Sequence, residues 1–154
     1  MSKEKSNASL DSPLGGKVFS VRFILAIALF VLGVAWIAYY YVAVRPDPSA
    51  FPAPEAGSPA FMADLVRWNY VIGFGLMMLA LIVAAHKSTP LGRGRGVVVG
   101  MLGCFLVGLV WICVFYIFSN DINSIPIFND LNQWNLIVGI ALMAVGFTYA
   151  TKWE

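Results

Sequence analysis

The chain has 154 residues, of which 60% are hydrophobic and only 12% are charged, and its formal net charge at pH 7 is +2. A soluble domain carries about 25% charged residues, so this composition excludes an ordinary soluble globular protein and predicts a membrane protein. The two arginines of the segment 92–96 are too few to form a nucleic-acid-binding surface, and no nucleic-acid partner is expected.

The first 22 residues are polar and basic and show no hydrophobic periodicity, which predicts a disordered cytoplasmic tail over 1–22. The apolar run 23–44 follows this tail. It is longer than the roughly 7–15 apolar residues of a cleaved signal peptide, so it predicts a retained transmembrane helix.

Further apolar runs at 70–85, 97–118 and 134–150 show that the sequence repeats itself. The first and third runs share a Gly-x-x-Trp motif, and the second and fourth are each entered through Asp-Leu-x-x-Trp-Asn. Internal similarity of this kind defines the structural unit. We therefore predict an all-α membrane protein with four transmembrane helices in two repeated hairpins, 23–88 and 97–154, joined by a cytoplasmic linker at 89–96.

The second and fourth runs are shorter than the roughly 20 residues that usually span a bilayer, but the repeat favours treating all four alike. Each is preceded by a proline and an aromatic residue, which predicts a short interfacial helix before the span. Trp68 and Trp134 should then lie at the depth of the lipid headgroups, where amphipathic rings are favoured.

The distribution of lysine and arginine predicts the orientation. One side of the predicted membrane holds eight basic residues: Lys3, Lys5, Lys17, Arg22, Lys87, Arg93, Arg95 and Lys152. The other side holds only Arg45 and Arg67. Basic loops stay cytoplasmic, so both termini and the linker should be inside. The external loop between Arg45 and Arg67 is rich in proline and should be extended, with little means of forming a fixed surface.

Several residues are candidates for helix packing or for interaction with partners. Gly33 and Trp36 lie one helical turn apart and share a face, as do Gly108 and Trp111, and glycine allows another helix to approach closely. A role as generic lipid-facing bulk stays open for the tryptophans.

The second span of each hairpin supplies further candidates. Asn69 and Asn135 can cap a backbone group or bond across helices, and Gly139 and Gly146 share a face of the last span. The pair Gly96 and Gly100 leaves a homo-oligomer open.

The chain lacks the groups that catalysis or coupled transport requires. Apart from Arg22 at a boundary, no Asp, Glu, Lys or Arg lies within a predicted span, and His86 is the single histidine. Cys104 and Cys113 would face opposite sides of one helix. We expect neither an enzyme nor a metal or cofactor site. A small four-helix transporter or channel remains the alternative function, although such proteins usually carry an ionisable group near the midplane.

These motifs, in this order, resemble the CrgA family of actinobacterial cell division membrane proteins. The resemblance rests on three segments: Gly-x-x-Trp at 33–36 and 108–111, the sequence Met-Ala-x-Leu-x-x-Trp-Asn-Tyr at 62–70, and the tail Thr-Lys-Trp-Glu at 151–154. Members of the family are usually single hairpins with cytoplasmic termini, so this chain would be a tandem duplication.

The resemblance implies a non-enzymatic adaptor of the divisome that coordinates septum formation with peptidoglycan synthesis. It also implies a multi-pass protein of the plasma membrane at the division septum. The implied partners are divisome membrane proteins, septal penicillin-binding proteins and the tubulin-like division GTPase, besides the lipid bilayer itself.

Overall fold

The computed structural model describes residues 19–52 and 54–152, and this part of the chain contains helices and no strands. The predicted tail is therefore outside the described residues except at its end, as are Trp153 and Glu154. The helices are α1 (Val21–Tyr39), which continues as a π-helical turn (Tyr40–Val44), α2 (Ala60–Leu65), α3 (Trp68–Ala84), α4 (Arg95–Ile117), α5 (Phe128–Leu131) and α6 (Trp134–Ala150). Short 3-10 turns lie at Pro90–Gly92 and Ser119–Ser124.

Two segments are long and apolar enough to cross a membrane, Val21–Val44 and Arg95–Ile117. They coincide with the first and third predicted spans to within two residues. The other two, α3 and α6, are apolar helices of 17 residues each. At 1.5 Å per residue such a helix is about 25 Å long, slightly less than the roughly 30 Å of the hydrocarbon core.

The helices pack as two antiparallel pairs, α1 with α3 and α4 with α6, and the pairs meet through α3 and α6. Ser20 caps the start of α1 by accepting a hydrogen bond from the Phe23 amide. At the same end of the first hairpin, the Arg22 side chain bonds to His86, just past the end of α3. Because α3 and α6 run parallel at the centre, equivalent residues of the two repeats lie side by side there.

The short helix predicted before each second span is confirmed by α2 and α5. In both repeats the chain turns sharply between the short helix and the span, at a residue with positive φ: Val66 at 43° and Asn132 at 46°. Neither residue is glycine, so the turn is a strained backbone conformation that the surrounding contacts must hold. The interfacial depth of these helices stays a prediction.

The end of the proline-rich loop is held against α1, whereas its composition predicts an extended segment with little means of forming a fixed surface. The Gly57 amide donates to the Val44 carbonyl at 2.9 Å, and a Cβ atom on Gly57 would overlap the backbone of Ala43. The Tyr39 hydroxyl donates to the Ser58 carbonyl at 3.0 Å. The end of this loop is thus fixed on α1, because a glycine at 57 permits backbone-to-backbone contact that composition alone does not reveal.

The linker is also packed closely. The Thr89 side chain is buried, and its hydroxyl accepts a hydrogen bond from the Gly92 amide at 3.1 Å. A Cβ on Gly96 would overlap the Pro90 carbonyl, and one on Gly100 would overlap the Tyr149 ring. The two glycines considered for a homo-oligomer are therefore in contact with this same chain.

Candidate interaction site

The packing of the first hairpin depends on one glycine from each helix. A Cβ atom on Gly33 of α1 would lie 2.6 Å from the Gly73 carbonyl oxygen of α3, and one on Gly73 would overlap the Ile37 side chain. In both cases the added Cβ atom would lie closer to its neighbour than non-bonded atoms can approach. A larger residue at either position would therefore push the helices apart. The backbones of α1 and α3 approach closely here because both residues are glycine.

The second hairpin reproduces this contact. A Cβ atom on Gly108 of α4 would lie 2.6 Å from the Gly139 carbonyl oxygen, and one on Gly139 would overlap Ile112. Gly146 faces the Phe105 ring, with a Cβ-to-ring distance of 3.1 Å. Gly33, Gly108, Gly139 and Gly146 thus all lie at contacts within a hairpin, and the sequence repeat is a repeat of packing geometry.

The two tryptophans of the Gly-x-x-Trp motifs have different neighbours. Trp36 is half-buried, and its ring centroid lies 6.3 Å from that of Phe61 in α2. Trp111 stacks on Phe128 of α5 at 4.4 Å and meets Phe74 of α3 edge to face at 5.5 Å. Trp111 therefore joins the short helix α5 of its own repeat to the other hairpin. The aromatic contact of Trp36 is with α2, the short helix of its own repeat.

Asn69 and Asn135 bind each short helix to the helix that follows it, α3 or α6. Both are fully buried. The Asn69 side-chain amide donates to the Met62 and Val66 carbonyls at 2.7 and 3.0 Å. Asn135 makes the equivalent bonds to the carbonyls of residues 128 and 132, at 3.0 and 2.8 Å. Each asparagine thus joins the carbonyls of the preceding short helix and turn to the first turn of the helix that follows.

The tryptophans that precede these asparagines lie on the surface. Trp68 is 65% exposed and Trp134 is 49% exposed. These tryptophans are the first residues of α3 and α6, at the end where the short helices lie. Their position is compatible with contact to lipid headgroups or to another protein, and the headgroup depth stays a prediction.

An ion pair between the hairpins is the contact that sequence reasoning missed. The Arg45 Nε atom lies 2.5 Å from the Asp130 carboxylate, and the two side chains are only 12% and 20% exposed. The Tyr70 hydroxyl donates to the same carboxylate at 2.6 Å, and the Arg45 guanidinium lies 4.7 Å from the centre of the Tyr41 ring. Arg45 and Asp130 entered the sequence analysis only as loop charges.

The electrostatics of this cluster keep Arg45 charged. Burial lowers the pKa of Arg45, but the hydrogen bond and the negative charge of Asp130 outweigh burial and raise that pKa above its ordinary value. The cluster lines an open cleft of about 990 Å³ between the loops that follow α1 and α4. Asp47 lines this cleft, and hydrogen bonds from Ser49 lower the pKa of its carboxyl.

At the opposite end of the molecule, Tyr149 joins the hairpins. Its hydroxyl donates to the Leu81 carbonyl of α3 at 2.7 Å, and its ring lies against Gly100 of α4. Tyr149 is fully buried. The repeat-equivalent of Tyr149 is Val83, which has no hydroxyl, so the two hairpins contribute unequally to their junction.

Within residues 19–52 and 54–152 the structure holds no group of three or more His, Cys, Asp or Glu side chains that could bind a metal ion. Cys104 is buried and Cys113 is exposed, and both are free thiols. The contacts described above lie between helices, and the candidate site is a set of interaction surfaces.

Comparison with known proteins agrees with this description. The family model for cell division protein CrgA matches the chain twice, over residues 3–88 and 84–154. A cell division protein CrgA of Streptomyces avermitilis is 42% identical over 67 residues, which are 44% of this chain and 75% of the relative.

Two corynebacterial proteins of the same name also match. That of Corynebacterium glutamicum strain R is 35% identical over 60 residues, 39% of this chain and 53% of the relative. That of Corynebacterium aurimucosum is 32% identical over 76 residues, 46% of this chain and 80% of the relative. No solved structure matches the chain. Because the family model covers the chain in two successive regions, this protein belongs to the CrgA family of cell division proteins and carries the family unit twice.

Proposed function

We propose that this cell division protein is a non-enzymatic adaptor that binds other membrane proteins through its helices and thereby coordinates septum formation with peptidoglycan synthesis. In this proposal all four apolar helices cross the membrane and both termini are cytoplasmic. Support for the topology comes from the antiparallel pairing of each short apolar helix with a long one and from the eight-to-two distribution of basic residues.

One observation carries the adaptor function: α1 and α4 present equivalent exposed apolar stripes. The stripe of α1 consists of Ile24, Ile27, Val31 and Val34, and that of α4 of Val99, Leu102, Leu106 and Leu109. All eight side chains are exposed, and the spacing of three, four and three residues places each set on one helix face. This is the spacing with which one helix packs along another.

The stripes are the surfaces left for a partner, because several small and polar residues of the hairpins already make contacts within the hairpins. Gly33, Gly108 and Gly139 are in contact within the hairpins, and Asn69 and Asn135 bond to their own short helices. A partner helix would therefore meet the outer faces of α1 and α4. Two equivalent stripes on one chain give a partner two attachment points, and binding at one raises the effective concentration at the other.

The partners that fit these stripes are transmembrane helices of divisome proteins and septal penicillin-binding proteins. Contact with the tubulin-like division GTPase would fall to the cytoplasmic side, where the basic residues of the tail and linker lie. A second copy of this chain is a competing occupant of the same stripes.

The test is the localisation of a fluorescent fusion at the N-terminus in a dividing actinobacterial host. We expect the full-length fusion to concentrate at septa. Replacing Ile27, Val31, Leu102 and Leu106 with alanine should reduce septal enrichment by more than half, because it removes the centre of both stripes.

Leu25 and Leu32 supply the matched control, since both are exposed on α1 but lie off its stripe. Their replacement with alanine should leave the septal signal unchanged. A uniform membrane distribution of the unmodified fusion in dividing cells would reject the septal role, and equal effects of the two variant sets would reject the stripes as its basis.

A further inference from the structure

The parallel helices α3 and α6 leave a groove between their inner ends that the adaptor function does not use. The groove has a volume of about 440 Å³. It is lined by Ile82, Ala85 and His86 from the first hairpin and by Phe147, Thr148, Thr151 and Lys152 from the second. Six of these residues form three pairs by repeat position, 82 with 148, 85 with 151 and 86 with 152, so the groove lies where the two repeats face each other.

The groove changes from apolar to basic along its length. Ile82 and Phe147 are exposed apolar side chains within the helices α3 and α6. Lys152 lies two residues beyond the end of α6, and it is exposed. His86 lies two residues beyond the end of α3 and is bonded to the Arg22 side chain. In the proposed topology the apolar walls lie at membrane depth. Lys152 lies at the rim, and a second cationic group, on Arg22, is bonded to the lining residue His86.

The rim is chemically suited to an anion. The Lys152 side chain has no hydrogen-bond or ion-pair partner among the described residues, and none of the described residues lining the groove is acidic. The Thr151 hydroxyl, bonded to the Thr148 carbonyl at 2.9 Å, is a further polar group at the same level. An anion bound here would meet positive charge from both hairpins at once.

We propose that this groove binds an anionic phospholipid, with its phosphate at Lys152 and the Arg22–His86 pair and an acyl chain between Ile82 and Phe147. Basic pockets between transmembrane helices on the cytoplasmic side are suited to lipid phosphates. The apolar walls favour a lipid over a free phosphate ion, which would leave them exposed to water. The inference depends on α3 and α6 lying in the bilayer, as proposed above, but not on the septal role.

A bound lipid would join the two repeats at their inner end. Arg22 and His86 belong to the first hairpin and Lys152 to the second, so a phosphate between them would connect the hairpins, as the Arg45–Asp130 pair does at the outer end. The lipid would thus act as a structural ligand of the duplicated unit.

The experiment is native mass spectrometry of the full-length protein in detergent, titrated with phosphatidylglycerol or with phosphatidylcholine of the same acyl chains. We expect one phosphatidylglycerol to be retained preferentially. The substitution Lys152→Gln should weaken this retention about fivefold, the effect of removing one basic residue near a phosphate. Arg95→Gln is the matched control, because Arg95 is exposed at the start of α4, carries the same charge and does not line the groove.

A second variant tests the apolar part of the groove. Thr148→Phe should fill the space between the walls and weaken phosphatidylglycerol retention while every charge is kept. The melting temperature in detergent without lipid shows whether this variant is folded, and Lys152→Gln, at an exposed position, tests the proposal independently of folding.

Three outcomes would overturn the proposal. Equal weakening by Lys152→Gln and Arg95→Gln would show diffuse attraction to the basic face. Equal retention of the two lipids would show that the phosphate charge is not recognised. Displacement of the lipid by inorganic phosphate at the same concentration would show an ion site without a lipid chain.

Discussion

At the scale of single residues, the glycines of this chain divide into those that contact a neighbouring helix and those that do not. Gly33 and Gly108 have a carbonyl of the partner helix where a Cβ would be, whereas Gly75 and Gly103 have no atom within 4 Å of that position. All four glycines lie within apolar runs, and in the sequence only the Gly-x-x-Trp motif marks Gly33 and Gly108. The difference allows a controlled test on one helix.

The substitution Gly108→Ala is expected to destabilise the protein by about 1–3 kcal/mol, because its methyl group would force α4 away from α6. Gly103→Ala, on the same helix but in open space, should change the unfolding free energy by less than about 1 kcal/mol, in the direction of higher stability. Thermal unfolding in detergent measures both. Equal melting temperatures for the two variants would contradict the proposed close approach at Gly108.

The residues that sequence reasoning could predict are those with a local signature. A glycine and a tryptophan one turn apart indicated a packed face, and a repeated Trp-Asn indicated a helix start. The pairing of Arg45 with Asp130 could not be predicted, because the two residues belong to different repeats and have no equivalent pair. The signal in the sequence was weak: an arginine directly after the first apolar run and an aspartate in the short segment before the last one.

At the scale of elements, the helices follow the apolar runs closely. The first span ends at Val44, as predicted, and α6 has the predicted bounds, because an uninterrupted apolar run between polar segments marks a span without reference to tertiary contacts. The turns at Val66 and Asn132 were not predictable. A positive φ at a non-glycine residue is an unfavourable local conformation, and here tertiary contacts outweigh local preference.

The hydrogen bonds of Asn135 are expected to hold the turn between α5 and α6. Replacing Asn135 with leucine keeps the branched shape of the side chain but removes its two hydrogen bonds to carbonyls, which should destabilise the protein by about 1–2 kcal/mol. The loss should be concentrated in α5. Hydrogen exchange of the Phe128–Leu131 amides should therefore become faster while exchange in α4 is unchanged.

Asn129 provides a comparison within the same short helix. Among the described residues, its side-chain amide makes only a long contact of 3.5 Å, to the Tyr41 hydroxyl. Replacing Asn129 with leucine should accelerate exchange in α5 much less than Asn135→Leu does. Unchanged exchange in the Asn135 variant would mean that packing of Phe128 and Leu131 alone fixes the short helix.

At the scale of the whole molecule, duplication has produced two similar hairpins joined by contacts that are not duplicated. The Arg45–Asp130 pair and the Tyr149–Leu81 bond each have one member per hairpin and no repeat-equivalent. The equivalent of Asp130 is Asp64, which is exposed and has no ion-pair partner among the described residues. The junction is therefore a specific product of the tandem arrangement.

A double-mutant cycle measures the strength of that junction. Arg45→Gln and Asp130→Asn should show a coupling energy of about 1–2 kcal/mol, between the values typical of exposed ion pairs and of charged hydrogen bonds in the interior. Arg45→Gln combined with Asp64→Asn should show no coupling. Coupling of equal size in both cycles would mean that Arg45 responds to net charge on the outer face and not to Asp130.

The membrane topology is the prediction on which the proposed function depends most, and it follows from the distribution of basic residues. In a variant lacking Cys104 and Cys113, single cysteines at Ser58 or Ser124 should react with a membrane-impermeant thiol reagent in intact cells, because both positions are exposed on the predicted outer side. Cysteines at Ser6 or Ser88 should react only after the cells are permeabilised, which also controls for expression and accessibility. A topology with only the two long helices across the membrane would place Ser88 and Ser58 on the same side and label both. Labelling of Ser88→Cys in intact cells would therefore overturn the four-span arrangement, and with it the positions assigned to the stripes and the lipid groove.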